Sequence, residues 1–212
     1  RPIRVIMFDD VRTYNSHREA NPDKKYADSA SIGGYYQPNE QRLIMWRGGM
    51  DIRSVLFHEG THMLVHYAFS GKGFTPSKQT PWLQEGIAEL FAGHKVETVE
   101  IDGQKRKRYV LGQFLPMRYG QYRMLAQTGV LSPVKDLVRI DNYTFETAKK
   151  DQEKGGPEGL AAELTVAQIY ASGWVFCMYL NNAESGIWRA AFDDYIEGET
   201  RGEGFWQKLG ER

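Results

Sequence analysis

The chain holds a single cysteine, Cys177, in 212 residues. One thiol cannot close an intrachain disulfide or build a multi-cysteine zinc cluster. Within the apolar run Trp174 to Leu180 it reads as a small buried hydrophobe rather than a reactive group. Charge of one sign is also missing: 27 Lys+Arg balance 27 Asp+Glu. No global basic field therefore draws nucleic acid or an anionic membrane to the chain. The one basic run, Lys105 to Arg108, reads as a hairpin tip. No run of about 20 apolar residues occurs, so no transmembrane segment is expected. Internal repeats and low-complexity tracts are absent as well. A composition of 41% hydrophobic and 25% charged residues is what remains, enough for one substantial core in one domain.

Punctuation along the chain divides it into elements. Ile3 to Phe8 (IRVIMF) is an apolar run suited to a buried strand, followed by a polar stretch of helix and loop through Asp28, with turn signals at Asn21 and Pro22. Ser31 to Gln37 and Arg42 to Trp46 flank Pro38, Asn39 and Glu40 and read as a hairpin, after which Gly48 and Gly49 break the strand. From Asp51, an N-cap, apolar residues Ile52, Val55, Leu56, Leu64, Val65 and Ala68 recur at helical spacing until Ser70 and Gly71. Thr80 and Pro81 open a second helix that runs to about Gly93. Val96 to Ile101 and Lys107 to Leu111 surround an Asp102-Gly103 turn. Arg118 to Thr128 and Pro133 to Val138 predict short helices, and Ala161 to Asn181 and Trp188 to Ile196 longer helical ones. Lys149 to Gly159 (KKDQEKGGPEG), polar and rich in breakers, is expected to be a mobile surface loop.

The chemistry is concentrated in the first helix. His58, Glu59, Gly60, Thr61 and His62 spell HExxH. At about 3.6 residues per turn, histidines four apart project from one face and can grip one metal ion. Glu59, one position round, can accept a proton from water at that metal without being a ligand. Five residues with two free positions also arise by chance, and such histidines can merely line a helix. Gly60 and Thr61 argue against a helix built for stability alone, glycine costing about 1 kcal/mol against alanine, unless close packing demands them.

A HExxH zinc site needs a third protein ligand and an open fourth position. Trp82 to Glu89 reads WLQEGIAE, which puts Glu85 and Glu89 four apart on one face of the second helix. Like charges so spaced are unfavourable unless something cationic lies opposite. Glu85 is assigned as the ligand, and Glu89 as the carboxylate that accepts a hydrogen bond from a ligating histidine and fixes its tautomer.

HExxH followed by a separate helix with a glutamate in a WLxEGxAE context resembles the gluzincins, the thermolysin and aminopeptidase group of zinc peptidases. More narrowly, HEGTH, WLQEGIAE and a tyrosine ahead of SGW are similar to a bacterial family of gluzincin-like proteins. The likeness is specific over about residues 31–91 and weaker beyond. It implies an α+β zincin-like fold: a small mixed sheet and HExxH helix in an N-terminal lobe of about residues 1–95, then a mainly helical lobe of about 112–212. It also implies that the edge strand, here Gly34, Tyr35 and Tyr36, borders the active-site cleft and offers backbone groups to an extended peptide. Tyr170, in IYASGW, is implied as the donor to the developing oxyanion, with Tyr35 and Tyr36 as alternates.

Two departures bound the likeness. Metzincins continue as HExxHxxGxxH, whereas this chain has Val65 and Ala68 at those positions. No GxMEN motif anchors a substrate amino terminus, which turns the expectation from exopeptidase toward endopeptidase. The remaining histidines carry less. His66 sits one turn past His62, too far along to join the same ion, His94 closes the second helix where a cation is favourable, and His17 has no companion. The expected function is zinc-dependent hydrolysis of peptide bonds; the rival is a zincin-like binding or scaffold module that keeps the metal but not the catalysis. With Arg1 as first residue and the family likeness, the expected placement is extracellular or periplasmic.

Overall fold

The computed structural model describes residues 3–20, 33–48, 51–69 and 80–201. The expected turn at Asn21 and Pro22, residues Ser31, Ile32 and Gly49, and the helix stop at Ser70 and Gly71 lie outside these. The chain is mixed α+β. Strand β1 (Arg4–Phe8) leads into helix α1 (Val11–Glu19), and β2 (Gly34–Gln37) and β3 (Arg42–Trp46) form the hairpin. Helices α2 (Ile52–Phe69) and α3 (Pro81–Ala92) follow, then the strands β4 (His94–Ile101) and β5 (Gln104–Leu111). The rest is helical: α4 (Pro116–Gln127), α5 (Val134–Leu137), α6 (Asn142–Asp151), α7 (Gly156–Asn182) and α8 (Arg189–Thr200).

The first sheet has the order β1-β3-β2, with β1 parallel and β2 antiparallel to β3. The two-residue side-chain period of a strand sends alternate residues to opposite faces. Tyr35 and Ile44 accordingly pack with Tyr14 of α1 on one face, while Tyr36, Leu43 and Met45 pack with Val55 and Met63 of α2 on the other. The buried strands of this sheet are β2 and β3, not β1. Strand β1 leaves Val5 and Met7 exposed among the described residues, contrary to the reading of its apolar run. Helix α2 packs on β2 and β3, and an apolar run signals burial only where other elements cover the strand's faces.

Asp51 caps α2 as expected, its carboxylate accepting the Arg53 amide at 3.1 Å. Thr80 does not cap α3 through its hydroxyl, which is buried without a hydrogen bond among the described residues. The Thr80 amide instead donates to Glu199 of α8 at 3.2 Å, and Glu199 also accepts from the Tyr195 hydroxyl at 3.0 Å. A carboxylate brought from the far end of the chain thus sits at the positive end of α3.

Helix α3 is buried on nearly every side, held between α2 and α7. Its contact with α7 is close because two glycines face each other. A Cβ on Gly86 would meet the Gly173 carbonyl oxygen at 2.7 Å, and one on Gly173 would meet the Trp82 carbonyl oxygen at 2.7 Å. The glycines of EGIAE and SGW are thereby explained by packing. Gly60 is the opposite case: nothing described lies within 4 Å of a Cβ there, so packing does not require it. Trp82, Leu83, Ile87 and Leu90 of α3 join Leu137, Phe145, Ile169 and Phe192 in the largest core. Although α3 precedes residue 95 in the chain, its apolar side chains belong to the helical part.

The segment 149–159 is not a loop. Helix α6 continues to Asp151, a 3₁₀ turn spans Gln152–Lys154, and α7 begins at Gly156. Asp141 caps α6 by accepting the Thr144 amide at 2.8 Å. Only Gly155 and Gly156, with φ of 67° and 63°, make the break. The basic run Lys105 to Arg108 lies within β5 rather than at the hairpin tip, which Asp102 and Gly103 form at positive φ. By length and composition the 156–186 helical stretch is apolar enough to cross a membrane. Here it packs against α3, α4 and α6. Cys177 is wholly buried in its core, and burial pushes its thiol pKa up.

Replacing Gly173 by alanine is expected to force α3 and α7 apart and to cost about 1–3 kcal/mol. Gly60→Ala, free of any such clash, should raise stability by about 1 kcal/mol. Urea unfolding of the two variants checks both signs.

Candidate metal centre

Two helices and a strand edge build the site. On α2, His58 and His62 project from one face, and their Nε2 atoms stand 3.2 Å apart. Glu85 arrives from α3, placing Oε2 at 3.3 Å from His58 Nε2 and 3.6 Å from His62 Nε2. These three atoms make a nearly equilateral triangle. Ligand atoms held about 2.0–2.1 Å from a tetrahedral zinc ion lie about 3.3 Å from one another, so the triangle has the size of one face of such a shell. Glu85 Oε2 is buried and accepts no hydrogen bond among the described residues, despite facing both imidazoles. An oxygen left so in a hydrogen-bonded cluster is costly, whereas the same oxygen is satisfied as a ligand. The donor set of two imidazoles and a carboxylate suits zinc, and the residues present fit the ion.

Glu89, one turn along α3 from Glu85, lies on the other side of His58, with Oε1 at 3.3 Å from Nδ1. This is the contact expected of it. A carboxylate at Nδ1 favours a proton there, so that Nε2 would be the atom left to bind a metal ion. Arg118 of α4 donates to the same Glu89 oxygen at 2.5 Å and to Gln121 at 2.7 Å. Sequence reasoning gave Arg118 no role; nothing local distinguishes it among 27 basic residues.

Electrostatics separate the three buried glutamates. Burial raises the pKa of Glu85 and of Glu89, but for both this is outweighed by cations. His58 and His62 hold Glu85 well below the usual carboxylate range. For Glu89, His58 and Arg118 bring the value to about 2. Glu59 differs: burial dominates over the pull of His58 and His62, and its pKa is raised. His58 is drawn down by burial and up by Glu85 and Glu89, with the carboxylates winning at about 10. Two of the carboxyl groups are thus held toward the charged form, and the third is shifted toward the neutral one.

Glu59 accepts the Tyr36 amide of β2 through Oε2 at 2.9 Å. The edge strand therefore touches the proposed base, and the Tyr36 N–H points away from β3. Gly34, Tyr35 and Tyr36 line one cleft of about 800 Å³ with His58, Glu85 and Tyr170. The aromatic rings of the strand are not free alternates for Tyr170. Tyr35 turns its ring into the core on the α1 face, and the Tyr36 hydroxyl lies 2.8 Å from His66 Nδ1. Tyr36 and His66 both line the cleft. His66 itself is a helix-edge residue bonded to Tyr36, and His94 pairs with the Ala92 carbonyl and with Asp51. His17 packs on Phe8, away from the cleft.

Tyr170 comes from α7 and stacks on His58, with ring centroids 6.2 Å apart and planes 29° from parallel. Burial and the nearby Glu85 push its pKa well above the ordinary value, so the hydroxyl keeps its proton and can donate. Thr61 bonds back to the Phe57 carbonyl at 2.7 Å, a use of its hydroxyl inside the helix and not in the cleft. No family model, curated protein or solved structure matches this chain.

In the metal-free protein, His58→Ala would leave Glu85 and Glu89 buried with one cation fewer between them. The expected loss is about 3 kcal/mol, the cost of removing one partner from a buried charge cluster. Urea unfolding in a chelating buffer measures it, and an unchanged midpoint would show that the carboxylates are not held by this imidazole.

Proposed function

We propose that this chain is a zinc-dependent peptidase of gluzincin type with a zincin-like fold, using His58, His62 and Glu85 as ligands. The observation that carries the reading is the triangle of Nε2, Nε2 and Oε2 atoms with sides of 3.2, 3.3 and 3.6 Å around an oxygen without a hydrogen bond. Glu59 carries it from binding to catalysis, since a scaffold would need the ligands but not a further carboxyl group beside them.

Zinc, when bound, supplies a Lewis acid that polarises a carbonyl and lowers the pKa of water. The residues do the rest. A substrate peptide extends along β2 and pairs with its backbone in the cleft. Glu59, one oxygen steadied by the Tyr36 amide, takes a proton from the attacking water as the new C–O bond forms. The Tyr170 hydroxyl donates to the carbonyl oxygen as negative charge develops. Glu59 then passes its proton to the amide nitrogen as the C–N bond breaks, releasing an acid and an amine. Glu89 holds His58 in the tautomer that keeps Nε2 available.

Elemental analysis of the purified protein should find about one zinc per chain, lost in Glu85→Ala. Zinc at about 100 times its Kd should stabilise the fold by about 2.7 kcal/mol, a rise in Tm of roughly 5–11 °C for a chain of this size. Glu59→Gln should keep the zinc and slow turnover of a mixed peptide library by about 10²- to 10⁴-fold. A protein that takes up no zinc, or a fully active Glu59→Gln variant, overturns the reading.

A further inference from the structure

Arg118 lies outside both ligand helices yet reaches the site in two ways. Its Nη2 donates to Glu89 Oε1 at 2.5 Å, the oxygen that stands 3.3 Å from His58 Nδ1. Its guanidinium carbon is 4.8 Å from the centre of the Tyr170 ring, and that ring stacks on His58. A third contact, Nη1 to Gln121 at 2.7 Å, anchors the group to its own helix. The side chain is only 13% exposed. Edge and face of one planar cation are therefore used at once, which an ammonium group cannot reproduce. The buried Nε makes no hydrogen bond among the described residues. The plane is set by Glu89, Gln121 and the tyrosine, not by satisfying every donor.

We propose that Arg118 is a positioning residue of the metal centre, orienting Glu89 toward His58 Nδ1 and fixing the Tyr170 ring over the same imidazole. The inference rests on the zinc reading given above. Without the guanidinium, Glu89 loses its strongest hydrogen bond and is free to turn from Nδ1. His58 then loses the partner that selects its tautomer, although no ligand has been touched. Tyr170 loses the cation on its face, so both arms converge on one histidine. An ion pair serving stability alone would need Glu89 but not the stacked tyrosine.

The test is zinc affinity by competition with a chromophoric chelator, joined to the visible absorption of the cobalt-substituted protein and to Tm. Arg118→Ala should bind zinc about 10- to 100-fold more weakly and alter the cobalt spectrum. Arg118→Lys, which keeps the charge without the planar fork, should recover part of the affinity and serves if the alanine variant fails to fold. Arg123→Ala, an exposed arginine on the same helix, should bind as wild type. In the double variant Arg118→Ala with Glu89→Gln, the losses should be less than additive, because both act through His58. Wild-type affinity and cobalt spectrum in a folded Arg118 variant, or strictly additive losses, overturn the positioning role while leaving the zinc reading intact. A wild-type chain that binds neither metal overturns the zinc reading itself, and this inference with it.

Discussion

Three carboxylates, Glu59, Glu85 and Glu89, are each less than 10% exposed and converge on one pair of helices. Burying a charge is tolerable only where partners replace the water it loses, and every other feature of the site follows from that requirement. The two histidines on α2 meet Glu85, His58 and Arg118 together meet Glu89, and a backbone amide meets Glu59. The three environments are not equivalent. Cationic partners outweigh burial at two of the groups, whereas at Glu59 burial outweighs the pull of the same histidines and of the amide. One helix pair thereby holds three carboxyl groups in three different electrostatic environments.

The surrounding fold keeps that convergence tight. Glu85 reaches the histidines because α3 is wedged between α2 and α7, and the wedge is close because Gly86 and Gly173 carry no side chain. The start of α3 is held by Glu199 from α8, so the final helix described acts on the helix that carries Glu85. On the opposite side, β2 reaches Glu59 because the hairpin register sends the Tyr36 ring under α2 and its amide outward. A site assembled from α2, α3, α4, α7 and β2 resists small displacements, since each helix is fixed by packing against at least one other.

Local signals read well where the cause was local. The Asp51 cap and the Asp102-Gly103 turn, like the helical period of α2, depend on neighbours a few residues away, and all are present. The readings that changed depended on distant partners. Residues 149–159 look like a loop by composition, but α6 and α7 bury apolar residues beside that stretch and helix continues nearly through it. The Thr80 hydroxyl lost its role to a carboxylate 119 positions away. Ile3 to Phe8 carries the apolar content of a central strand, yet the pairing order leaves β1 at an edge.

HExxH and the Glu85-Glu89 spacing pointed to His58, Glu59, His62, Glu85 and Glu89, and the structure brings these five side chains together. Those choices rest on helix geometry, in which residues four apart share a face whatever the rest of the chain does. Tertiary structure alone decided that the two helices meet face to face, that Arg118 joins Glu89, that Tyr170 lies on His58, that Tyr35 packs against Tyr14 and that the Tyr36 hydroxyl meets His66. Such contacts join residues separated by tens of positions, and which arginine or tyrosine arrives is set by the packing of helices rather than by any pattern along the sequence.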